Sequence, residues 1–194
     1  MTRRTAAAIM ATAVAISACV TVDSPLPASP PPSPSASASA EDSGPPFSCP
    51  ARTAYLTPPS NTLIGVTVAA EAGFDRITFT FGSPVAASGT PPGAIMQPAD
   101  PPFVEGASGL PLPVEGDRFV VLTFRDMVIA DENGQPSYAG PSEIRPGTPA
   151  VREVVLGEAF EGIVTWIVGM AAPGCLRTLG DTDGSTLSIE VRHP

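Results

Sequence analysis

Residues 73 to 84, GFDRITFTFGSP, alternate more cleanly than any other stretch. Ile77, Phe79 and Phe81 fall on one side, and Arg76, Thr78 and Thr80 on the other. A period of two predicts a half-buried β-strand, and Gly82-Ser83-Pro84 ends it. Upstream, Leu63 to Ala69 reads as a strand with Ile64, Val66 and Val68 on one side, followed by a turn at Glu71-Ala72-Gly73. Ala94 to Gln97 reads as a short edge strand among prolines. Pro101 to Pro113 reads as a strand end and a glycine-containing turn. Asp117 to Arg125, DRFVVLTFR, is apolar on both faces, which predicts a central strand. Asp131 to Gly134 carries the Asn-Gly turn signature. Val151 to Leu156 and Phe160 to Val168 read as strands separated by Gly157 and Glu158. Thr186 to Val191 reads as the last strand, after a turn at Asp181 to Ser185. No stretch sustains a helical period; at most one short helix or 3₁₀ turn is expected, near Asp126 to Ala130. About seven short strands at this spacing predict an all-β sandwich or barrel.

The apolar pattern differs before residue 47. Arg3 and Arg4 precede a run of small apolar residues, Ala6 to Ile16, too short to span a bilayer. The run ends Ile16-Ser17-Ala18-Cys19, which resembles the lipobox of bacterial lipoproteins. That resemblance implies residues 1–18 as a cleaved signal peptide and diacylglycerol on the Cys19 sulfur; the competing reading is an ordinary secretory signal with a chance cysteine. Lipid chains on Cys19 would anchor the chain at the extracytoplasmic face of the cell membrane. Residues 19–46 then hold Cys19 and a Pro/Ser/Ala-rich linker, whose composition cannot build a core. As polyproline II it would reach roughly 80 Å, and as a coil about 30 Å. Residues 47–194 are the folded part.

Composition narrows the function. The chain has 25 Pro and 18 Gly in 194 residues, which opposes a helical bundle. It has no lysine, and its net charge is −9. Loss of Arg3 and Arg4 with the leader leaves 8 basic against 19 acidic residues, or −11. Nucleic acid is therefore excluded as a partner, as is an anionic surface bound through basic patches. No cofactor is expected. A metal site would need more ligands than the lone His193 and the cysteines supply. Asp181-Thr182-Asp183-Gly184-Ser185 begins like a calcium loop but has Arg192 at the twelfth position, so a hairpin turn is the preferred reading. A nucleophilic triad would have to use His193 on a terminus expected to fray, so the chain is read as non-enzymatic.

With Cys19 lipidated, Cys49 and Cys175 remain, and an exported protein pairs them; two free thiols are the alternative. Asp75 and Arg76 are the candidate ligand contacts. Arg76 either forks onto a wall carboxylate or pairs with an acid on a neighbouring strand, for example Glu161 or Glu153. Trp166 either stacks on sugar or packs in the core, as its apolar neighbours Ile163, Val164, Ile167 and Val168 favour.

Three pieces in order, GFDRITFTFGSP from Gly73, PFVEGASGLPLPVEGD from Pro102 and VREVVLGEAFEGIVTWIVGM from Val151, resemble the AMIN-like domain of secreted and lipid-anchored actinobacterial proteins. The resemblance runs from Leu63 to Val191. It implies a single β-sandwich akin to the AMIN domain, which targets periplasmic amidases and secretins to peptidoglycan or envelope. The expectation is a lipid-anchored, non-catalytic module that binds peptidoglycan or another cell-wall polysaccharide. The alternative is a protein-interaction module that docks an envelope enzyme or membrane complex. A groove lined by arginine and aromatics would favour glycan, and a flat apolar patch a protein.

Overall fold

The computed structural model describes residues 44–83, 92–180 and 184–194. The leader, Cys19, most of the linker, and Asp181 to Asp183 lie outside the described residues. Over what is described the chain is all-β, with twelve strands. These are β1 (Ala54–Leu56), β2 (Leu63–Ala70), β3 (Phe74–Phe81), β4 (Gly93–Ala99), β5 (Phe103–Val104), β6 (Pro111–Leu112), β7 (Arg118–Arg125), β8 (Glu143–Ile144), β9 (Val151–Phe160), β10 (Ile163–Met170), β11 (Leu176–Gly180) and β12 (Thr186–Arg192). They form three antiparallel sheets: six strands in the order β1-β4-β7-β10-β9-β8, four in the order β11-β12-β3-β2, and the β5-β6 hairpin. The sequence led to about seven strands in one sandwich. The difference lies mainly in β1, β5, β6 and β8, whose two or three residues are too few to display a period.

The alternation of β3 is realised in its burial. Ile77, Phe79 and Phe81 are buried, and Thr78 and Thr80 between them are half-buried on the other face. Phe79 places its ring 5.4 Å from Phe124 of β7 and 6.2 Å from Trp166 of β10, and Phe81 lies 5.8 Å from Phe124. The two larger sheets thus face each other across one core. β7 is central in its sheet, as its two apolar faces require. Trp166 is wholly buried, which assigns it to the core, with Tyr138 edge-on at 5.3 Å.

Four local expectations are corrected. Ile64 is exposed rather than aligned with Val66, because the β2–β3 register shifts between Leu63 and Gly65. The extra residue of that bulge turns Leu63 inward and Ile64 outward. The β9–β10 turn sits at Glu161-Gly162, with φ of 47° and 78°, and not at Gly157-Glu158. Gly157 is instead the unpaired residue of a bulge opposite the Thr165/Trp166 step. Asp126 to Ala130 is not helical. Its amides bond to other segments, Met127 N–H to Gly162 O (2.9 Å) and Val128 N–H to Asn61 O (2.7 Å), so no helical ladder can form. β4 is not a bare edge, since β1 covers Ala94 to Met96. Pro98, beyond the reach of β1, occupies the stretch of that edge where a missing N–H costs nothing.

Two straps complete the domain. Residues 113–117 cross the six-stranded sheet at Gly169, where a Cβ would overlap the Glu115 carbonyl oxygen. Glu115 N–H donates to the buried Glu153 Oε2 at 2.6 Å, and Arg145 Nε to Glu153 Oε1 at 3.0 Å. At the other sheet, Ser48 pairs with Leu176 through two bonds of 2.8 and 3.1 Å, and Cys49 is disulfide-bonded to Cys175. That bond closes a span of 126 residues. The loop-entropy model assigns such a closure about 4–5 kcal/mol.

Candidate ligand-binding face

The solvent face of the four-stranded sheet begins with a row of charges. Arg177 of β11 lies opposite Glu190 of β12, and Glu190 opposite Arg76 of β3. Arg76 donates Nε and Nη2 to Glu190 Oε1 at 3.0 and 2.8 Å. Arg177 donates Nε to Glu190 Oε2 at 2.6 Å, and its Nη2 lies 2.5 Å from the same oxygen. Both oxygens of a carboxylate only 1% exposed are therefore paired. This is the condition under which a buried ion cluster is tolerated, since an unpaired charge there would carry its whole desolvation penalty. Glu71, in the turn after β2, adds a longer contact of 3.4 Å to Arg76 Nη1.

Aromatic rings flank the cations. The Arg177 guanidinium lies 4.4 Å from the Phe47 centroid and 5.5 Å from that of Phe74. Arg76 lies 5.3 Å from Phe74, and Arg192 5.9 Å from Phe47. Each contact is of cation–π type. Three of the five Arg76 N–H groups point to Glu190 and Glu71, which among the described residues leaves two donors on a side chain 39% exposed. These two can take a carboxylate from solution.

The next rows of the same face carry hydroxyls. Ser188, Thr78 and Thr67 stand opposite one another on β12, β3 and β2, with Thr78 Oγ1 3.4 Å from Ser188 Oγ. Thr186 and Thr80 form the row beyond, beside Gly65. Threonines and a glycine make this part of the face flat and rich in groups that both donate and accept.

Asp75 lies on the opposite side of β3 from Arg76, so the two candidate contacts are separated by the pleat. Asp75 is wholly buried. Its Oδ2 accepts the N–H groups of Ala150 and Val151 at 2.7 Å each, which joins β3 to the start of β9 in the other sheet. Its Oδ1 lies 2.8 Å from His193 Nε2. Burial opposes ionisation of this carboxyl, but the Thr148 hydroxyl, the Val151 and Ala150 amides and His193 outweigh it and hold the pKa below its ordinary value. His193, expected to fray, is clasped at both ends, since its N–H also donates to Gly73 O at 3.0 Å. Asp75 is thus a link between sheets, with no surface on which to meet a ligand.

The partner of Arg76 is an acid on a neighbouring strand, as one reading had it, but it is Glu190. Glu153 serves Arg145, and Glu161 occupies the β9–β10 turn. Arg177 and Phe47 were missed, although a signal existed. Phe47 lies two residues before Cys49 and Arg177 two after Cys175. A disulfide between antiparallel segments brings such positions opposite each other.

A family model of the AMIN-like domain matches residues 61–193. No curated protein and no solved structure matches the chain.

Proposed function

The chain belongs to the AMIN-like family, and on that premise we propose that it is a non-catalytic module of the cell envelope that binds peptidoglycan or another wall polysaccharide. The ligand contact on this reading is the outer face of the four-stranded sheet. The single observation that carries it is the cluster of Arg76, Arg177 and Arg192 with Phe47 and Phe74 beside rows of threonine and serine. Hydroxyl rows match the hydroxyls of a polysaccharide, and the two spare Arg76 donors suit a carboxylate. His193, the only histidine, is spent on buried Asp75, in keeping with a structural task. The lipobox-like Ile16-Ser17-Ala18-Cys19 supports an acyl anchor at Cys19, with the linker holding the domain away from the bilayer.

One experiment addresses anchor and ligand together. Cys19→Ser should leave the membrane fraction, and the released protein should sediment with purified cell wall. Arg76→Ala in that background should weaken sedimentation several-fold. Retention on membranes after a salt wash would defeat the lipid anchor. Equal sedimentation of the Arg76 variant would remove the arginine face as the contact.

A further inference from the structure

The β5-β6 hairpin lies against the outer face of the six-stranded sheet and leaves an open groove of about 260 Å³ beside it. Val121 of β7 and Ile167 and Thr165 of β10 form its floor, and Phe103 and Val104 of the hairpin its wall. The groove is already built. Phe103 packs edge-on against Phe119 at 5.2 Å, and Gly106 N–H donates to Gly157 O at 3.0 Å. Among the described residues one acidic side chain lines it, Glu158, set there by the bulge at Gly157. A Cβ on Gly106 would come within 2.5 Å of Glu158 Cδ, so the glycine is what lets this carboxylate lie against the hairpin. Among the described residues the Glu158 carboxylate has no ion-pair or hydrogen-bond partner.

We propose that this groove binds a peptide side chain made of an aliphatic stem ending in a cation, of the lysine type. An apolar floor with one unpaired carboxylate is complementary to that combination. The stem lies on Val121 and Ile167, the cation meets Glu158, and the Thr165 hydroxyl oxygen accepts from it as well. The volume is just below the roughly 300 Å³ at which pockets for drug-sized ligands begin, which suits one side chain with its backbone. The charge balance points the same way: a chain that carries −9 attracts a cationic partner. The proposal does not rest on wall binding, because it concerns the other sheet and a different chemistry.

The test compares two short capped peptides, Ac-Ala-Lys-Ala-NH₂ and the same peptide with norleucine, titrated into the Cys19→Ser protein and followed by methyl NMR of Val121 and Ile167. The lysine peptide should shift these signals saturably and bind about five-fold more tightly than the norleucine peptide, the scale of one partly exposed ion pair. Added salt should erode the advantage. Glu158→Gln, with an unchanged melting temperature, should bring the two peptides within about two-fold of each other. Equal binding of both peptides to the unmodified groove, shifts confined to other residues, or no saturable shift would each overturn the proposal without reference to the variant. Failure of wall sedimentation would leave it standing.

Discussion

His193 Nε2 lies 2.8 Å from Asp75 Oδ1, so the penultimate residue of the chain is hydrogen-bonded to a carboxylate inside the core. The same carboxylate accepts the first amides of β9 from the opposite sheet. Asp75→Asn should therefore cost about 1.5–3 kcal/mol, the worth of hydrogen bonds to a charged group. The cost should depend on pH with a defined sign. The native pKa lies below the ordinary 3.8, so the carboxylate contributes fully above pH 3.8 and loses that contribution as pH falls from there through the lowered native value. Denaturation of both proteins at neutral pH and near pH 3 checks this; a gap that fails to narrow in acid would contradict it.

The Arg76–Glu190–Arg177 row predicts an order of effects. Glu190→Ala should cost most, about 3–5 kcal/mol, because it leaves Arg177 buried without its counter-charge. Arg76→Ala should cost less, about 1–3 kcal/mol, because it strips the partners from one oxygen of the buried Glu190 carboxylate while Arg177 still holds the other. Chemical denaturation of the two single variants settles the ranking. Equal losses would mean that Arg177 alone does not hold Glu190.

Core substitutions separate a buried aromatic from an exposed aliphatic. Phe79→Ala removes a fully buried ring from between Phe124 and Trp166 and should cost about 3–5 kcal/mol. Ile64→Ala, at a side chain 50% exposed, should change stability by about 0.5 kcal/mol or less. Melting temperatures report both, and a large loss at Ile64 would place the β2 bulge elsewhere.

Cys49 and Cys175 should resist alkylation until reduced, and mass spectrometry of the unreduced protein should find neither labelled. The double serine variant should lose about 2–5 kcal/mol. Two labelled thiols in the native protein would remove the covalent link.

The sequence makes some of this structure plain and hides the rest for physical reasons. Ile77, Phe79 and Phe81 are legible because nothing interrupts their alternation. Ile64 is not, because a bulge adds one residue and reverses the face before Gly65. Gly157-Glu158 looks like a turn because glycine serves turns and bulges alike, while the true turn, Glu161-Gly162, lacks the usual Asn or Asp. For the face itself, the sequence singles out Arg76 and even the kind of partner it finds. It hides Glu190, 114 residues away, because pairing of distant strands is fixed by the fold and not by local pattern. Asp75 beside Arg76 suggests a paired site; the pleat sends one into the core and the other to solvent.

The covalent link at Cys49 also decides where tension would travel. A pull arriving from the N-terminal side can peel residues 44–48 from β11, but at Cys49 it passes through the sulfur bridge to Cys175, next to β11. If the far end of the load is a wall strand held on the face formed by β11, β12 and β3, then within the span between the two cysteines only β3 need bear the pull from the tether. That span contains the whole six-stranded sheet, with Phe124 and Trp166. The domain would work as a short rigid shackle between tether and wall, with most of its residues outside the line of force.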